Sequence, residues 1–526
     1  MNTIVVPVDG ASNIKLEALD FDTFATVYSC VSDSPSTEVD GLKYNCTGEE
    51  CSWFDRSIRH MPEELKTVSV IAPVARGASG GFVGPDNRMT EVPGEGLTLA
   101  YTQDYPDEVD SVFRERAGNA DSFFTETGSI RDFPGSLTLI KRFLFEEMER
   151  PEVLERSSCF GTYGALLTGH FLGDDYLRAV RAAGNEHGYW MCHTGARNIN
   201  GNPGKPSSLC SKISAFREMV PSEASVVYKS VGTMPEKLSA SLGISGALNV
   251  IPGGHDTCLS HIPVMSTFFQ SFEENANAPV IHLEAGSWTL AAKIGGSADF
   301  PPDGHSRDIV VQGTVDGYPV VTARYGGGND FRYTKRLSEE KGIRFGGGYD
   351  EGLLIDVAGR ADCFVLPNIN PVNHRTGPFP KVCGSIINEA ALHENPGIAQ
   401  VVTNLMTAVT TSCLIESIAG DDDIPIVITA GGSRDPYYGK LVATLTGKKV
   451  YAMYDSDGNA ISETTTLGAA ICGKAACLGV HPYKVDVSGL GVTYRELTPY
   501  ENAVSDRLYH YRRRLISEIE KRSFRL

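Results

Sequence analysis

The chain has 526 residues, of which 41% are hydrophobic and 21% are charged. A single hydrophobic core rarely supports a chain of this length, so we expect two domains. The 65 acidic residues outnumber the 47 basic ones and give a net charge of −18, which disfavours nucleic acid and anionic membranes as partners. Small molecules are the expected partners, and the sequence leaves a homo-oligomer open.

Targeting signals and metal-binding cysteines are not evident in the sequence. No uninterrupted apolar run approaches the ~18–20 residues that span a bilayer. The chain enters a strand directly at Met1–Val8, without a basic segment and cleavage site. We therefore expect a cytoplasmic protein. The twelve cysteines are scattered and suit buried free thiols rather than a zinc site.

The N-terminal segment is predicted to form a β-meander. Apolar residues run or alternate over Thr3–Val8, Ile14–Leu19 and Thr23–Cys30, with a tight turn at Gly10-Ala-Ser-Asn. A further apolar strand is expected over 68–74, and Leu137–Met148 has the apolar spacing of a helix.

Near the middle of the chain, an apolar strand runs into two glycines and ends in a carboxylate. The stretch is Asn249-Val-Ile-Pro-Gly-Gly-His-Asp, and Asp256 is its last residue. A second apolar strand, Pro279–Leu283, leads to the small-residue turn Gly286-Ser287-Trp288, whose backbone amides suit an anion. A carboxylate beside a phosphate-binding turn indicates phosphoryl transfer.

The second half of the chain opens as the first half does. Strands are predicted at Thr289–Ile294, Ile309–Gly313 and Tyr318–Ala323, with Asp316-Gly317 as a hairpin signal. We interpret this as a weak internal duplication of two β-rich units, each starting with a strand-turn-strand that could hold phosphate.

One more strand ends in glycines before a helix. The strand at 426–430 leads into Gly431-Gly432-Ser433, and a helix follows from Pro436 to Thr446. Glycines at a helix entrance let a ligand approach the backbone and the positive end of the helix dipole. Helices at Ile398–Val409 and Ala503–Ile519 are expected to pack against the sheets. The sequence contains neither a Walker A motif nor a Gly-x-Gly-x-x-Gly after a strand, which disfavours P-loop enzymes and dinucleotide oxidoreductases.

The order of these segments resembles that of the FGGY carbohydrate kinases, which belong to the actin-like, hexokinase-like ATPase superfamily. Gly254-His255-Asp256-Thr257 and Gly286-Ser287-Trp288 look most like segments of L-fuculokinase and L-rhamnulokinase. Residues 430–450 resemble the family's adenosine motif. Leu167-Thr168-Gly169, the segment at 233–243 and Glu463-x-x-x-Leu-Gly-Ala-Ala also fit, so the resemblance covers nearly the whole chain.

The resemblance implies an α/β fold with two ribonuclease H-like domains of the actin and hexokinase type and an active site in the interdomain cleft. Residues 1–258 would be the sugar-binding domain and residues 259–526 the ATP-binding domain. The implied activity is an ATP-dependent transfer of the γ-phosphate to the primary hydroxyl of a ketose, with ATP and Mg²⁺ as cofactors. The favoured substrates are 6-deoxy-ketohexoses such as L-fuculose and L-rhamnulose.

The resemblance also assigns residues. Asp256 would be the general base that takes the proton of the attacking sugar hydroxyl. Sugar binding would involve Gln103, Asp104, His255 and Asp256. The implied ATP-binding residues are Gly10, Ala11, Ser12, Lys15, Gly286, Ser287, Trp288, Gly431, Gly432 and Ser433.

The sequence departs from the family pattern at the first phosphate motif. Alignment of its glycine places Val8 where the magnesium-associated Asp belongs, and Asp9 comes one position later. Side chains alternate along a strand, so Asp9 would face the other way unless a bulge compensates. On that condition Asp9 is the candidate metal residue. In the adenosine motif, Ala430 replaces the first glycine and Asp435 the usual Asn.

Two alternatives remain open at this point. The first is an FGGY kinase for a pentulose, a polyol or a sugar acid, which would share every catalytic feature. The second is a catalytically weakened sensor of sugar or nucleotide, motivated by the displaced Asp9; the intact Asp256 argues against it.

Overall fold

The computed structural model of the chain describes residues 1–10, 13–133, 135, 138–183, 185–186, 197–198, 205–207, 212, 219, 224–272, 278–296, 299–346, 349–371, 376–420 and 422–523. The chain divides into two compact units. Unit 1 comprises Met1–Phe272, Val311–Pro319 and Glu463–Gly491. Unit 2 comprises Glu273–Val310, Val320–Ser462 and Val492–Leu526.

The first 272 residues, all in unit 1, alternate strands and helices. The strands are β1 (Asn2–Asp9), β2 (Asn13–Asp20), β3 (Thr26–Asp33), β4 (Ser36–Val39), β5 (Leu42–Asn45), β6 (Thr67–Ile71), β7 (Val74–Ala75), β8 (Gly80–Val83), β9 (Thr98–Leu99), β10 (Cys159–Thr162), β11 (Asn185–Glu186), β12 (Arg197–Asn198), β13 (Lys205–Pro206), β14 (Ala224–Ser225), β15 (Gly232–Thr233), β16 (Asn249–Val250) and β17 (Gly254–His255). The helices are α1 (Thr47–Arg59), α2 (Asp107–Ala117), α3 (Ala120–Thr127), α4 (Ile140–Glu149), α5 (Pro151–Glu155), α6 (Tyr163–Phe171), α7 (Tyr176–Ala183), α8 (Glu236–Leu242) and α9 (Asp256–Phe272).

The remaining elements lie mostly in unit 2. The strands are β18 (Val280–Ala285), β19 (Thr289–Ile294), β20 (Ile309–Gly313), β21 (Pro319–Tyr325), β22 (Phe364–Val365), β23 (Ile386–Ile387), β24 (Ile426–Thr429), β25 (Val450–Tyr454) and β26 (Thr493–Glu496). The helices are α10 (Gly327–Glu340), α11 (Glu351–Arg360), α12 (Ile398–Ala419), α13 (Tyr438–Thr446), α14 (Thr465–Leu478), which belongs to unit 1, and α15 (Asn502–Arg522).

The main sheet of unit 1 has an antiparallel half and a parallel half. Strands β1, β2 and β3 form the predicted meander, with β2 between the other two. On its other side β1 pairs in parallel with β6 and then with β7, and β16 and β17 continue the parallel ladder. The strand predicted over 68–74 is split in two at Pro73, since proline has no N–H to donate to a ladder.

The sheet of unit 2 repeats this order. Its strands follow the sequence β20-β21-β19-β18-β24-β25-β26. The first four are joined as an antiparallel half, whereas β18, β24 and β25 are parallel. In both units, therefore, the first strand of the unit lies between an antiparallel meander and a parallel half. The predicted duplication and the ribonuclease H-like α/β class are confirmed.

Helices cover both faces of the unit 1 sheet. On one face, Val5, Leu16 and Ile71 pack with residues of α1 and α6. On the other face, Ile4 and Val70 pack with residues of α9 and α14. Strands with both faces covered need apolar residues on both faces, and the buried residues of β1 and β6 are accordingly mostly apolar.

The chain passes from unit 1 to unit 2 between Phe272 and Glu273. The predicted boundary after residue 258 falls inside α9, which runs on to Phe272 in unit 1. Helix α14 also belongs to unit 1, because it packs closely against α9: a side chain on Gly468 would lie 1.9 Å from the carbonyl oxygen of Leu259. This approach explains the small residues of the Leu467-Gly-Ala-Ala segment.

Helix α12 is the exception to the expectation that no segment could span a bilayer. By length and composition it qualifies, and it is the single such helix among the described residues. However, 89% of its most apolar window is buried inside the protein, so its apolar surface serves the core of unit 2.

Candidate active site

Three charged residues lie where adjacent parallel strands of unit 1 end. Asp9 pairs with Ala75 across β1 and β7, and Ala75 pairs with His255 across β7 and β17. Arg76 and Asp256 each come one residue later. Ligands of open α/β sheets bind at the carboxyl ends of the strands, so this edge is the expected site.

Asp9 is fully buried and bound to Arg76. The Arg76 Nε donates to Asp9 Oδ2 at 2.9 Å, and Nη2 lies 2.7 Å from Oδ1. The same Nη2 donates to Glu50 Oε1 at 3.2 Å, and the Tyr163 hydroxyl donates to Glu50 Oε2 at 2.6 Å. Burial raises the pKa of Asp9 well above its usual value, although Arg76 opposes this. Burial likewise raises the pKa of Glu50.

This arrangement does not fit a role for Asp9 as a magnesium ligand. The β1–β2 register runs without interruption from Thr3 to Asp9, so no bulge turns the side chain to the face of Val8. Both carboxylate oxygens are occupied by one guanidinium. Across the described ranges, no group of three or more His, Cys, Asp or Glu could hold a metal ion. The proposed metal role of Asp9 is therefore corrected: its carboxylate neutralises Arg76.

Asp256 is the first residue of α9 and its side chain is 39% exposed. Its Oδ1 accepts hydrogen bonds from Thr257 N at 2.7 Å and from Thr257 Oγ1 at 3.3 Å, and His255 Nε2 lies 3.1 Å away. No described residue donates to Oδ2, which leaves that oxygen for a ligand. Burial lowers the pKa of His255, so a neutral imidazole orients the carboxylate.

The loop that presents Asp256 is packed directly against α6. A side chain on Gly253 would lie 2.4 Å from the carbonyl oxygen of Gly164, and one on Gly164 would lie 2.3 Å from that of Gly253. The Gly253 N–H donates to Thr168 Oγ1 at 2.8 Å. Thus Leu167-Thr168-Gly169, which the resemblance singled out, fixes the loop backbone before the candidate base.

A polar pocket of about 420 Å³ lies in unit 1 beside Arg76. Ser34, Lys43 and Tyr101 are among its lining residues. Burial raises the pKa of Tyr101. The positive charge of Arg76 opposes this rise, whereas the negative charges of Asp256 and Asp9 add to it. These charges must therefore lie near the Tyr101 hydroxyl. Sequence analysis did not assign Arg76 or Tyr101 to the site. The one available signal for Arg76 was its place directly after a buried strand.

Gln103 and Asp104 do not behave alike. The Gln103 side chain is buried; its Oε1 accepts from Lys43 N at 2.8 Å and its Nε2 donates to Asp104 O at 2.6 Å. Since its amide oxygen and its amide nitrogen both bind backbone groups, Gln103 does not fit the predicted contact with sugar. Asp104 is exposed.

The β1–β2 turn carries the residues predicted to meet phosphate. Gly10 donates its N–H to Asn13 O at 3.0 Å, and a side chain there would lie 2.9 Å from that oxygen. Ala11 and Ser12 lie outside the described residues. The Lys15 Nζ lies 2.9 Å from Glu463 Oε2 and 3.3 Å from Glu17 Oε2. Lys15 and the Glu463 segment, both singled out by the resemblance, are thus brought together within unit 1.

Unit 2 contains a cavity of about 360 Å³ that unites two of the predicted nucleotide segments. Gly286 and Ser287 from the β18–β19 turn line it, as do Gly431 and Gly432 from the 3₁₀ turn after β24. Strands β18 and β24 are parallel neighbours, so both turns leave the same edge of the sheet. Ser433 and Trp288 are not lining residues: the Ser433 hydroxyl donates to Ala430 O at 2.7 Å, and the Arg324 guanidinium lies over the Trp288 ring.

Residues 277–477 match the family described as "Carbohydrate kinase FGGY, C-terminal domain". This segment is similar to the C-terminal domain of FGGY carbohydrate kinases. Enzymes of that family are phosphotransferases with an alcohol group as acceptor, in agreement with the predicted reaction class. No curated protein sequence matches the chain.

Solved structures of similar fold cover almost the whole chain. A carbohydrate kinase from Novosphingobium aromaticivorans is 19% identical over 99% of both chains, with a TM-score of 0.73. A ligand-bound xylulose kinase from Lactobacillus acidophilus is 14% identical over 99% of this chain and 98% of its own, with a TM-score of 0.75. A Plasmodium falciparum glycerol kinase with ADP is 11% identical over 100% and 99%, with a TM-score of 0.73. These similarities show the fold.

The cavity of unit 2 has a third glycine-rich wall that sequence analysis missed. Gly327 and Gly328 open α10, and a side chain on Gly328 would lie 2.2 Å from Gly286 O. Arg332, one turn later, donates to Ser287 Oγ at 3.0 Å. The signal was the Gly326-Gly-Gly run directly after a predicted strand. Two glycine turns, the N-terminus of a helix and an arginine provide N–H donors for an anion.

The two departures from the family's adenosine motif in residues 430–450 have different consequences. Ala430 has a φ of 62°, in the left-handed region where a Cβ is strained, so the family's glycine is the easier residue there. Asp435, in contrast, is accommodated: its Oδ1 accepts hydrogen bonds from the backbone N–H groups of Tyr437 and Tyr438, both at 2.8 Å, at the start of α13.

Proposed function

We propose that the protein is an ATP-dependent sugar kinase in which Asp256 is the general base and the cavity of unit 2 binds the nucleotide. The observation that carries the proposal is the meeting of Gly286–Ser287 with Gly431–Gly432 in one cavity, although the two segments are far apart in sequence. Chance would not bring together the two turns that the family resemblance assigns to phosphate and adenosine.

Phosphoryl transfer needs positioning and charge stabilisation more than covalent chemistry. Asp256 Oδ2 would accept the proton of the sugar hydroxyl as the hydroxyl oxygen attacks the γ-phosphorus, and the bond to the β-phosphate oxygen breaks to release ADP. His255 and Thr257 hold the other carboxylate oxygen and so orient the base. The N–H groups of the unit 2 turns would bind the phosphates.

Magnesium enters this proposal only as an ion carried by the nucleotide. When bound, it neutralises phosphate charge. The residues near Asp256 do not form a protein-held ion site, because Arg76 already occupies Asp9. We therefore assign no magnesium ligand.

The proposed acceptor is the primary hydroxyl of a ketose, and a 6-deoxy-ketohexose of the L-fuculose or L-rhamnulose type is the first choice. The Gly254-His-Asp-Thr sequence supports this class. Pentuloses are the second choice, because solved xylulose kinases share the fold over almost the full length. The cellular compartment proposed for such a metabolic kinase is the cytoplasm.

A sensor that binds sugar or nucleotide without turnover is the second candidate function. The observation that favours it is the internal ion pair of Asp9, which removes a carboxylate from the first phosphate turn. The Asp256 geometry favours the kinase.

The deciding experiment is ADP release across a panel of L-fuculose, L-rhamnulose, D-xylulose, D-gluconate and glycerol, with a control lacking sugar. We expect ADP release with at least one ketose and a stoichiometric sugar phosphate. If calorimetry shows that a panel sugar binds but none is phosphorylated, the sensor replaces the kinase as the function. ADP release that is independent of sugar would contradict both.

A further inference from the structure

Asn404 is a buried amide on α12 that reaches the cavity of unit 2. It is 4% exposed, although its neighbours along the helix are predominantly apolar. A buried amide is costly unless its donors and its acceptor are satisfied. Asn404 is nevertheless among the residues that line the cavity, together with Gly432, Asp435 and Tyr438.

The orientation of this amide is fixed by its partners. Asn404 Nδ2 donates to Asp435 Oδ2 at 3.0 Å and to Tyr349 Oη at 2.9 Å, which uses both of its hydrogens. An ionised carboxylate only accepts hydrogen bonds, so the nitrogen and not the oxygen must face Asp435. Asp435 is in turn held by the two N–H groups at the start of α13. The amide therefore cannot rotate without losing a charge-assisted hydrogen bond.

The consequence is a hydrogen-bond acceptor that stays open on a residue lining the cavity. No described residue donates to Asn404 Oδ1, and because both amide hydrogens are engaged, this oxygen is the polar atom of Asn404 that remains available to a ligand. Tyr438 and Phe331 supply aromatic surface to the same cavity. An apolar, aromatic-lined space with one fixed acceptor suits a planar heterocycle that carries an amino group.

We propose that Asn404 Oδ1 accepts a hydrogen bond from the 6-amino group of adenine and thereby selects adenine nucleotides over 6-oxopurine nucleotides. A 6-oxo group would place its oxygen opposite Asn404 Oδ1. Two hydrogen-bond acceptors would then face each other in a buried site, and both would stay unpaired. This inference rests on the proposed function, since it presumes that the cavity of unit 2 is the nucleotide site. Asp435 and Tyr349 are positioning residues for Asn404.

The test compares ADP with IDP, which differ at the purine 6-position. Calorimetry on the wild-type protein should give a dissociation constant for ADP that is lower by about 10-fold or more, the cost of an unpaired buried acceptor. In Asn404→Leu, which keeps the branched shape of the side chain but removes its polar atoms, the two constants should come within about 3-fold of each other because the discriminating oxygen is gone. The ratio is the readout, because a merely structural loss would weaken both nucleotides equally.

A melting curve reports whether the variant is folded, and Asn404→Ala replaces it if Asn404→Leu is not. Equal binding of ADP and IDP by the wild type overturns the role of Asn404 but leaves the proposed function standing. So does a wild-type preference that survives in the variant. If neither nucleotide binds the wild type, the nucleotide site itself is wrong, and the proposed function fails with this inference.

Discussion

Arg76 binds both carboxylate oxygens of Asp9, at 2.9 Å from Nε to Oδ2 and 2.7 Å from Nη2 to Oδ1, in a site closed to solvent. The carboxylate that comes one position after the family's magnesium-associated Asp has thus become half of an internal ion pair. Because β1 has no bulge at Asp9, the alternation of side chains along the strand keeps the Asp9 carboxylate on the face opposite to Val8.

Asp9→Asn should therefore lower stability rather than alter magnesium handling. Removal of one partner of a buried ion pair costs about 3–5 kcal/mol, although Glu50 remains to share Arg76. We expect a lower melting temperature and an unchanged magnesium concentration for half-maximal activity. The control is Asp40→Asn at an exposed position, which should change neither quantity. A raised magnesium requirement at unchanged melting temperature would restore the metal role of Asp9.

Asp256→Asn should abolish most turnover while binding survives. Asparagine keeps the size of the side chain and can still accept from Thr257 N, but it cannot take the hydroxyl proton. The rate constant kcat should fall by about 100-fold to 10,000-fold, the usual contribution of a positioned base. Asp107→Asn, at an exposed position in the same unit, is the matched control. Wild-type turnover in Asp256→Asn would remove Asp256 from its proposed role.

Gly431 and Gly432 offer a matched pair for the nucleotide cavity. A side chain on Gly431 meets only Ala285 O, at 3.5 Å, whereas one on Gly432 would lie 2.5 Å from Ala285 Cβ and 3.0 Å from the Tyr438 ring. Gly431→Val should therefore weaken ADP binding with little change in melting temperature. Gly432→Val should destabilise unit 2 itself by about 1–3 kcal/mol, the cost of overpacking. Undiminished ADP affinity in a folded Gly431→Val protein would contradict the assignment of the cavity.

Ala430→Gly should stabilise the protein. The left-handed φ of 62° costs a residue with a Cβ about 1–2 kcal/mol, and the greater freedom of glycine in the unfolded chain returns part of that. The net gain should be about 0.5–1 kcal/mol in chemical denaturation. Ala240→Gly, at an exposed position in α8, should lower stability instead. Equal losses in both variants would show that the φ of Ala430 is not strained.

The stability of the protein should fall as the pH rises above neutrality, because His170 then loses its proton. Burial disfavours its charged form, but hydrogen bonds from Nδ1 to Asp174 Oδ1 at 3.0 Å and from Nε2 to Asp55 Oδ1 at 2.9 Å outweigh burial and raise its pKa to about 9. A histidine whose pKa is raised in the folded state contributes its full stabilisation below its unfolded-state pKa of about 6.5. That contribution is lost as the pH rises through the folded-state pKa.

The loss between pH 6.5 and 9 should amount to about 3 kcal/mol in the free energy of unfolding. His170→Gln, which does not titrate, should flatten this part of the curve. A wild-type stability that stays constant over the same range would show that the pKa of His170 is not raised.

The sequence by itself located several of the strands, because the signals that define them are local. Alternating apolar residues and glycine turns located β1, β2, β18, β19 and β24, because period-two patterns and glycine act locally. It also singled out Asp256 as the candidate base, since a carboxylate that follows Gly253-Gly254-His255 at a strand end is a local signal. Helix α9 was not predicted because Pro263 lies inside it, and proline usually ends a helix.

Tertiary structure alone decided which partners each side chain meets. The pairing of Asp9 with Arg76 and the hydrogen bond from Lys43 N to Gln103 Oε1 join residues that are 67 and 60 positions apart in the chain. The orientation of Asn404 depends on Tyr349 and Asp435, from other elements of the same unit. A local pattern records whether a residue is apolar or polar, but the free energy of a buried polar group is set by the atoms packed around it, and those are assembled only when the chain folds.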